Sequence, residues 1–393
     1  MAYYLTVEFN PSEVSSYSSV SGEGWYSEGT MASVGVAQEI VEVDNGKRYV
    51  FKEWLVDGFY YGSDSSTPPS ITMDNNHVVT VVYRTQYLIT FSAHVASGGS
   101  PLTSSNYLTV TYVSDGVTQT INIWDDYSVT VWCDANTTAT YSNPSSGSTT
   151  NERWQTEITP TYMINASTTY DPVYYNQFRI TIATSGLNGY PAMISFMQFG
   201  TQKSAMVDEL SPTWSDWCDK SSSLSITNPV DGMDGERWYS VNQTTWTNIK
   251  SSATYSVRYY HQYKCTIATS GLVTEYPATI NVTQCDIVNY LTTSATWSDW
   301  VDASSTLSIS DIVSVSLVER YHTANVTSWV VNQPTNVSVK YYHQWLVRVT
   351  LDGTDSQHTI NVTHTLDGSS HDELGVYGSW SDWVDDGTVL EFT

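Results

Sequence analysis

The residues best suited to chemistry in this chain are acidic, and they come at regular intervals. An aspartate closes each Trp-x-Asp triplet, at Asp134, Asp219, Asp302 and Asp385. A glutamate opens each Glu-Arg-aromatic triplet, at Glu152, Glu236 and Glu319. Two carboxylates flanking a sugar bond are what glycoside hydrolysis requires. A catalytic pair is needed once, however, whereas these residues return at the repeat period, as packing residues do. His-Glu-x-x-His, Gly-x-Ser-x-Gly and phosphate-cradling glycine loops are absent. The expectation is a non-enzymatic chain with no catalytic residue, no metal ligand and no cofactor. Ca2+ would suit the acidic junctions, but no Asp-x-Asp-x-Asp loop with a downstream glutamate supports it.

The aromatic residues offer a second chemistry. In Trp-Ser-Asp-Trp the two tryptophans are three apart, so on a strand they point to opposite faces. One set faces the core and the other is left for stacking on sugars; Trp214, Trp297 and Trp380 are the candidates for glycan stacking. The other set, Trp132, Trp217, Trp300 and Trp383, belongs to the structural repeat motif with Arg48, Arg153, Arg237 and Arg320. A planar guanidinium stacks on an indole and bridges carboxylates or carbonyls. Each of these arginines is expected to be half-buried against the tryptophan of its own module. His261 and His343 are read as hydrogen-bonding groups at the junctions, since Asn176 and Thr85 take their place elsewhere. Cys265 and Cys285 flank a hairpin and are candidates for a disulfide across it, whereas Cys133 and Cys218 read as small buried hydrophobes. Glycosylation sequons fall at Asn136, Asn165, Asn242, Asn281, Asn325, Asn336 and Asn361.

The elements that must position these residues are repeated strands. Tyr-x-x-Gln-aromatic begins at Tyr83, Tyr174, Tyr259 and Tyr341, and the Trp-x-Asp and Glu-Arg-aromatic markers keep the same period. Between the markers, short runs alternate apolar and polar residues and are bounded by Gly, Pro, Asn and Ser, which is the signature of strands and turns. The fold class is therefore all-β, a tandem array of small β-sandwich or β-roll modules. The divisions expected are 1–86, 87–177, 178–262, 263–344 and a partial module at 345–393. The first is a variant, with Gly24-Trp25-Tyr26 in place of Trp-Ser-Asp-Trp. No Gly/Ser/Pro linker separates the modules, so one continuous strand is expected to cross each boundary and stiffen the array into an extended rod.

Composition limits the function classes. The 393 residues include 15 basic and 40 acidic side chains, a net charge of −25. That charge opposes binding to nucleic acid or to an anionic bilayer. No stretch approaches the roughly 20 apolar residues of a membrane span, so no membrane insertion is expected within this segment. With 29 Tyr and 15 Trp the chain favours pleated, half-buried strands.

These residues support a comparison. Gly24-Trp25-Tyr26-x-x-Gly29-Thr30, Phe51-x-x-Trp54 and Ile71-Thr72-Met73-Asp74 before Val78–Tyr83 make the first module resemble the InlB B-repeat family of bacterial and archaeal surface proteins. Ile182-Ala183-Thr184-Ser185-Gly186-Leu187 and Ile267-Ala268-Thr269-Ser270-Gly271-Leu272 resemble the Ser-Gly-Leu repeats of archaeal S-layer and adhesin-like chains. The resemblance implies an extracellular, cell-surface repeat protein and carries over no catalytic or ligand residue. The expected function is a structural or adhesive segment, as a stalk, S-layer part or filament subunit. The alternative is a carbohydrate- or receptor-binding array, accessory to a secreted hydrolase. Expected partners are other copies of the chain or neighbouring surface proteins, through strand addition at the partial module, with Tyr3–Phe9 as one donor, and glycans.

Overall fold

The structure is a computed structural model that describes all 393 residues. Its regular elements are all strands apart from one short 3-10 turn, Ser12–Ser16. No helix is long and apolar enough to cross a membrane. Alternation along each strand separates a core face from a solvent face. In Ala278–Gln284, for example, Ala278, Ile280 and Val282 point inward and Thr279 and Asn281 outward.

The organising element is a long strand that belongs to two modules at once. The four such through-strands are His77–Phe91, Val173–Ser185, Tyr260–Ser270 and Tyr342–Leu351. The N-terminal part of each pairs with the Arg-bearing strand of the preceding module, and the C-terminal part with the Trp-bearing strand of the next. In three modules a closing strand then lies parallel to that C-terminal part: Thr168–Tyr170, Ala253–Arg258 and Thr335–Lys340. A second sheet covers each of these from the other side. In residues 263–344 it is built from Ile287–Thr293, Ala278–Gln284, Thr306–Ile309 and Ser328–Val330.

The expected continuity of strand across each boundary needs correction. Only His77–Phe91 runs from closing strand to through-strand without a break. At the next junctions Asp171-Pro172, Tyr259 and Tyr341 interrupt it. Proline has no N–H for a ladder. The two tyrosines turn their rings into the core, each 2% exposed, while their N–H groups donate to Ser185 and Ser270 of the preceding through-strand. That crossing explains Ser-Gly-Leu. Gly186 and Gly271 have φ of +82° and +85°, and a Cβ on either would run into the carbonyl oxygen of Tyr259 or Tyr341.

Burial falls into five separate clusters rather than one core. They contain 14, 14, 17, 12 and 3 buried residues in chain order. The last, Val362, Trp380 and Val384, is far smaller than the others. Its module has no parallel closing strand, and its second sheet has three strands instead of four.

The hairpin reading of the cysteines is also corrected. Cys265 and Cys285 are free thiols. Cys265 lies on a through-strand opposite Asp299, whereas Cys285 sits in the turn joining Ala278–Gln284 to Ile287–Thr293, in the other sheet. Cys133 and Cys218 are fully buried, and burial pushes both thiols up to about 12, which leaves them unreactive near neutral pH.

Candidate functional site at the module junctions

Strand register places three side chains in one lateral row at every junction. Gln86 lies opposite Arg48 on one side and Asp134 on the other. The same holds for Gln177 with Arg153 and Asp219, Gln262 with Arg237 and Asp302, and Gln344 with Arg320 and Asp385. Directly opposed residues on one face are the pairs that interact most across strands.

The chemistry of the row follows from its donors and acceptors. Arg48 Nε donates to Gln86 Oε1 at 2.9 Å, and Gln86 Nε2 donates to Asp134 Oδ1 at 2.8 Å. The carboxylate also accepts the backbone N–H groups of Asp115 and Gly116, at 3.0 and 2.7 Å. In the second junction the corresponding distances are 2.8, 2.8, 3.0 and 2.7 Å, through Phe199 and Gly200. In the third they are 3.0, 2.9, 2.9 and 2.7 Å, through Cys285 and Asp286. In the fourth they are 2.9, 2.9, 3.1 and 2.7 Å, through Asp367 and Gly368. The four glutamines are at most 1% exposed, so every amide hydrogen bond they make is shielded from water. Charge-assisted bonds of this kind contribute about 1.5–3 kcal/mol each when neither partner is left bare.

Each guanidinium also lies on a tryptophan: Arg48 over Trp132 at 4.4 Å, Arg153 over Trp217 at 4.4 Å, Arg237 over Trp300 at 4.3 Å and Arg320 over Trp383 at 4.2 Å. This corrects the expectation that the arginine packs on its own module's tryptophan. The indole comes from the following module, because both strands flank the shared through-strand. Burial lowers the Arg153 guanidinium to about 10 and lowers Arg237 and Arg320 in the same direction.

The glutamates of the Glu-Arg-aromatic triplets do not join the aspartates as acid pairs. Glu236 is 2.8 Å from His261 Nε2, Glu319 is 2.9 Å from His343 Nε2, and Asn176 Nδ2 donates to Glu152 at 3.0 Å. His261 stacks on Trp238 with ring centroids 4.4 Å apart, and His343 on Tyr321 at 4.8 Å. A cleft at the second junction, about 270 Å3, is lined by Asn176, Asp219 and Lys220 among others. Its Lys220 Nζ is held by Ser100 Oγ.

The glycan-stacking candidates face inward, which overturns the reading of them as platforms. Trp380 is 3% exposed, Trp214 packs on Phe196 at 4.7 Å, and Trp297 rests on the core of its module. The outward set is covered by the arginines. Among the sequon asparagines, Asn136, Asn165, Asn242, Asn281, Asn325 and Asn336 are exposed and Asn361 is half-buried. Asn242 Oδ1 accepts the Arg258 N–H and Asn325 Oδ1 accepts the Lys340 N–H, both at 2.8 Å, so each pins the end of a closing strand. Tyr3–Phe9 is no free donor: its strand is hydrogen-bonded to Gly24–Ser27 on one side and to His77–Phe91 on the other.

The residues missed from sequence are the four glutamines. The Tyr-x-x-Gln marker displayed them, but only the register shows that they couple an arginine to an aspartate.

Comparison with known proteins places the chain only loosely. No family model matches it, and no curated protein matches it in sequence. Among solved structures, the Bacillus anthracis TIE protein is 9% identical over 81% of this chain and 62% of its own, with a TM-score of 0.24. A streptococcal ancillary pilin is 7% identical over 65% and 98%, with a TM-score of 0.23. The pilus adhesin SpaC from Lactobacillus rhamnosus GG, in its open conformation, is 9% identical over 80% and 48%, with a TM-score of 0.27. The chain thus spans about three fifths of the TIE chain and about half of SpaC, and it is similar to these proteins without sharing their overall superposition.

Proposed function

We propose that this chain is a non-enzymatic structural or adhesive segment of an extracellular surface protein, working as a stiff stalk. The observation that carries the reading is the Arg–Gln–Asp row, repeated at four junctions with the same bonds. A row whose members come from two modules resists bending between them, because hinge motion would pull the arginine of one module off its glutamine acceptor and off the tryptophan of the next. The acidic surface, with a net charge of −25, keeps such a rod soluble and apart from nucleic acid and anionic lipid. Small-angle X-ray scattering on the full chain tests this. A rod-like cross-section and a maximum dimension that stays constant with ionic strength are expected. A distribution characteristic of freely jointed beads would sink the proposal.

A further inference from the structure

One cluster of side chains occurs once and not at the repeat period. The junction turns give a structural ruler for finding it. Three residues before the first turn N–H that binds the junction aspartate stand Tyr112, Phe196, Val282 and His364. All four are buried, at 7, 4, 1 and 2% exposed. The last module therefore has an imidazole where the others have an apolar core side chain. The residues opposite these four in the hairpin are Gln119, Lys203, Asn289 and His371. Two positions earlier on the same face, the cross-strand partners of Val110, Ile194 and Ile280 are Ile121, Ala205 and Leu291, whereas Val362 faces Glu373. Two apolar positions of the other modules have thus become histidine and glutamate in the smallest core of the chain.

The substituted residues converge. The ligand atoms of His371, Glu373 and Asp382 all lie within 4.8 Å of one another. His364 Nε2 lies 3.3 Å from Asp382 Oδ2, at an angle that makes no hydrogen bond, and neither ring nitrogen of this buried residue has a partner. A buried imidazole without a partner is costly unless something else takes its lone pair. The rings of His364 and His371 are 5.3 Å apart, edge to face. Trp380 Nε1 donates to Glu373 Oε2 at 2.8 Å, which fixes that carboxylate and leaves its other oxygen free. Outer hydrogen bonds of this kind orient metal-binding carboxylates.

We propose that His364, His371, Glu373 and Asp382 form a binding site for a divalent transition metal of the Zn2+ type. Bonds of about 2.0–2.2 Å in a tetrahedron set neighbouring ligand atoms roughly 3.3–3.6 Å apart. The His364–Asp382 distance is already there, and Asp382 in turn belongs to the group of three whose ligand atoms lie within 4.8 Å of one another. Two imidazoles select against Ca2+ and Mg2+, which prefer all-oxygen shells. The site joins both sheets of the last module, because His364, His371 and Glu373 lie in one and Asp382 in the other. Metal bonds there substitute for apolar burial, the device small domains use when their cores are thin.

The probe is ZnCl2 alone, titrated into the metal-free 393-residue chain by calorimetry and followed by thermal melts. One Zn2+ per chain is expected, with a melting transition that rises as Zn2+ is added, and Co2+ should give the visible absorption of a tetrahedral ion. His364→Val restores the residue the fourth module uses and should fold while weakening Zn2+ binding at least about tenfold; Glu373→Gln should do the same. Absence of stoichiometric binding overturns the proposal. So does binding that is unchanged in both variants, or displacement of Zn2+ by equimolar Ca2+.

Discussion

The fourth and fifth modules share a junction and differ in what lies beyond it. Both begin on a through-strand whose glutamine links an arginine to an aspartate, and the distances agree within a few tenths of an ångström. Inside, the fourth buries twelve residues in one apolar cluster and the fifth buries three. The fourth has its parallel closing strand, Thr335–Lys340, and the fifth leaves that edge bare. The same bonds thus stand in front of a core of twelve buried residues and of one of three, so the junction repeats more faithfully than the sandwich behind it.

The largest expected effect comes from breaking the row on both sides of this comparison. Asp302→Ala and Asp385→Ala each take the carboxylate acceptor away from a buried glutamine amide and two turn N–H groups. Each should cost about 3–5 kcal/mol by chemical denaturation. Equal losses would show that the junctions are autonomous; a loss confined to Asp302→Ala would show that they depend on the core behind them.

A somewhat smaller effect is expected when the fifth module's chemistry is moved into the fourth. Val282→His places an imidazole in an apolar cluster where Asn289 and Leu291 stand in place of His371 and Glu373, leaving Asp299 as the one carboxylate at an equivalent position, at a cost of about 2–4 kcal/mol. The variant should not bind Zn2+, and calorimetry against the unmodified chain checks that. Gly271→Ala should cost about 2–3 kcal/mol, because it combines an unfavourable positive φ with a clash against the Tyr341 carbonyl. Gly353, in the loop that leaves the fifth module's through-strand, has φ of +82° and nothing near its missing Cβ, so Gly353→Ala should cost only the conformational part, about 1 kcal/mol. Paired urea titrations would read the difference.

The smallest effect is a pH dependence in the first module, where histidine–carboxylate contacts lie at the surface instead of in a core. Hydrogen bonding to Asp57 and Asp74 raises His77, with burial opposing; Asp57 is lowered because contacts with His77 and Val78 outweigh its burial. A raised histidine stabilises fully below its unfolded pKa of about 6.5 and loses that contribution as pH rises through the higher folded value. A depressed aspartate contributes above its unfolded value of about 3.9 and loses it as pH falls. Melts of the chain should therefore be highest between these limits, and His77→Asn should flatten the alkaline side by less than about 1 kcal/mol.

Much of the fold was legible because repetition amplifies weak signals. Period-two alternation around Ala278–Gln284 gives a strand with one buried face whatever surrounds it. The Tyr-x-x-Gln, Trp-x-Asp and Glu-Arg markers located the junction strands without any structure. The markers also exposed Arg237 and Trp300 as a repeated pair of types, but not as neighbours across a boundary. Partners of side chains were another matter. Cys265 and Cys285 look adjacent along the chain, yet the hairpin between them is made by other residues, because the through-strand leaves for the opposite sheet. The inward turn of Trp214, Trp297 and Trp380 was undetermined for a similar reason: a strand's alternation fixes which residues share a face, and only packing decides which face is the core.

The sequence by itself determined an all-β repeat, its period and the residue types at each junction, since those follow from local alternation and self-similarity. Tertiary structure alone decided that Gln86, Gln177, Gln262 and Gln344 couple their neighbours, and that His364, His371, Glu373 and Asp382 meet. Both are consequences of register between strands far apart in sequence, which no local pattern encodes.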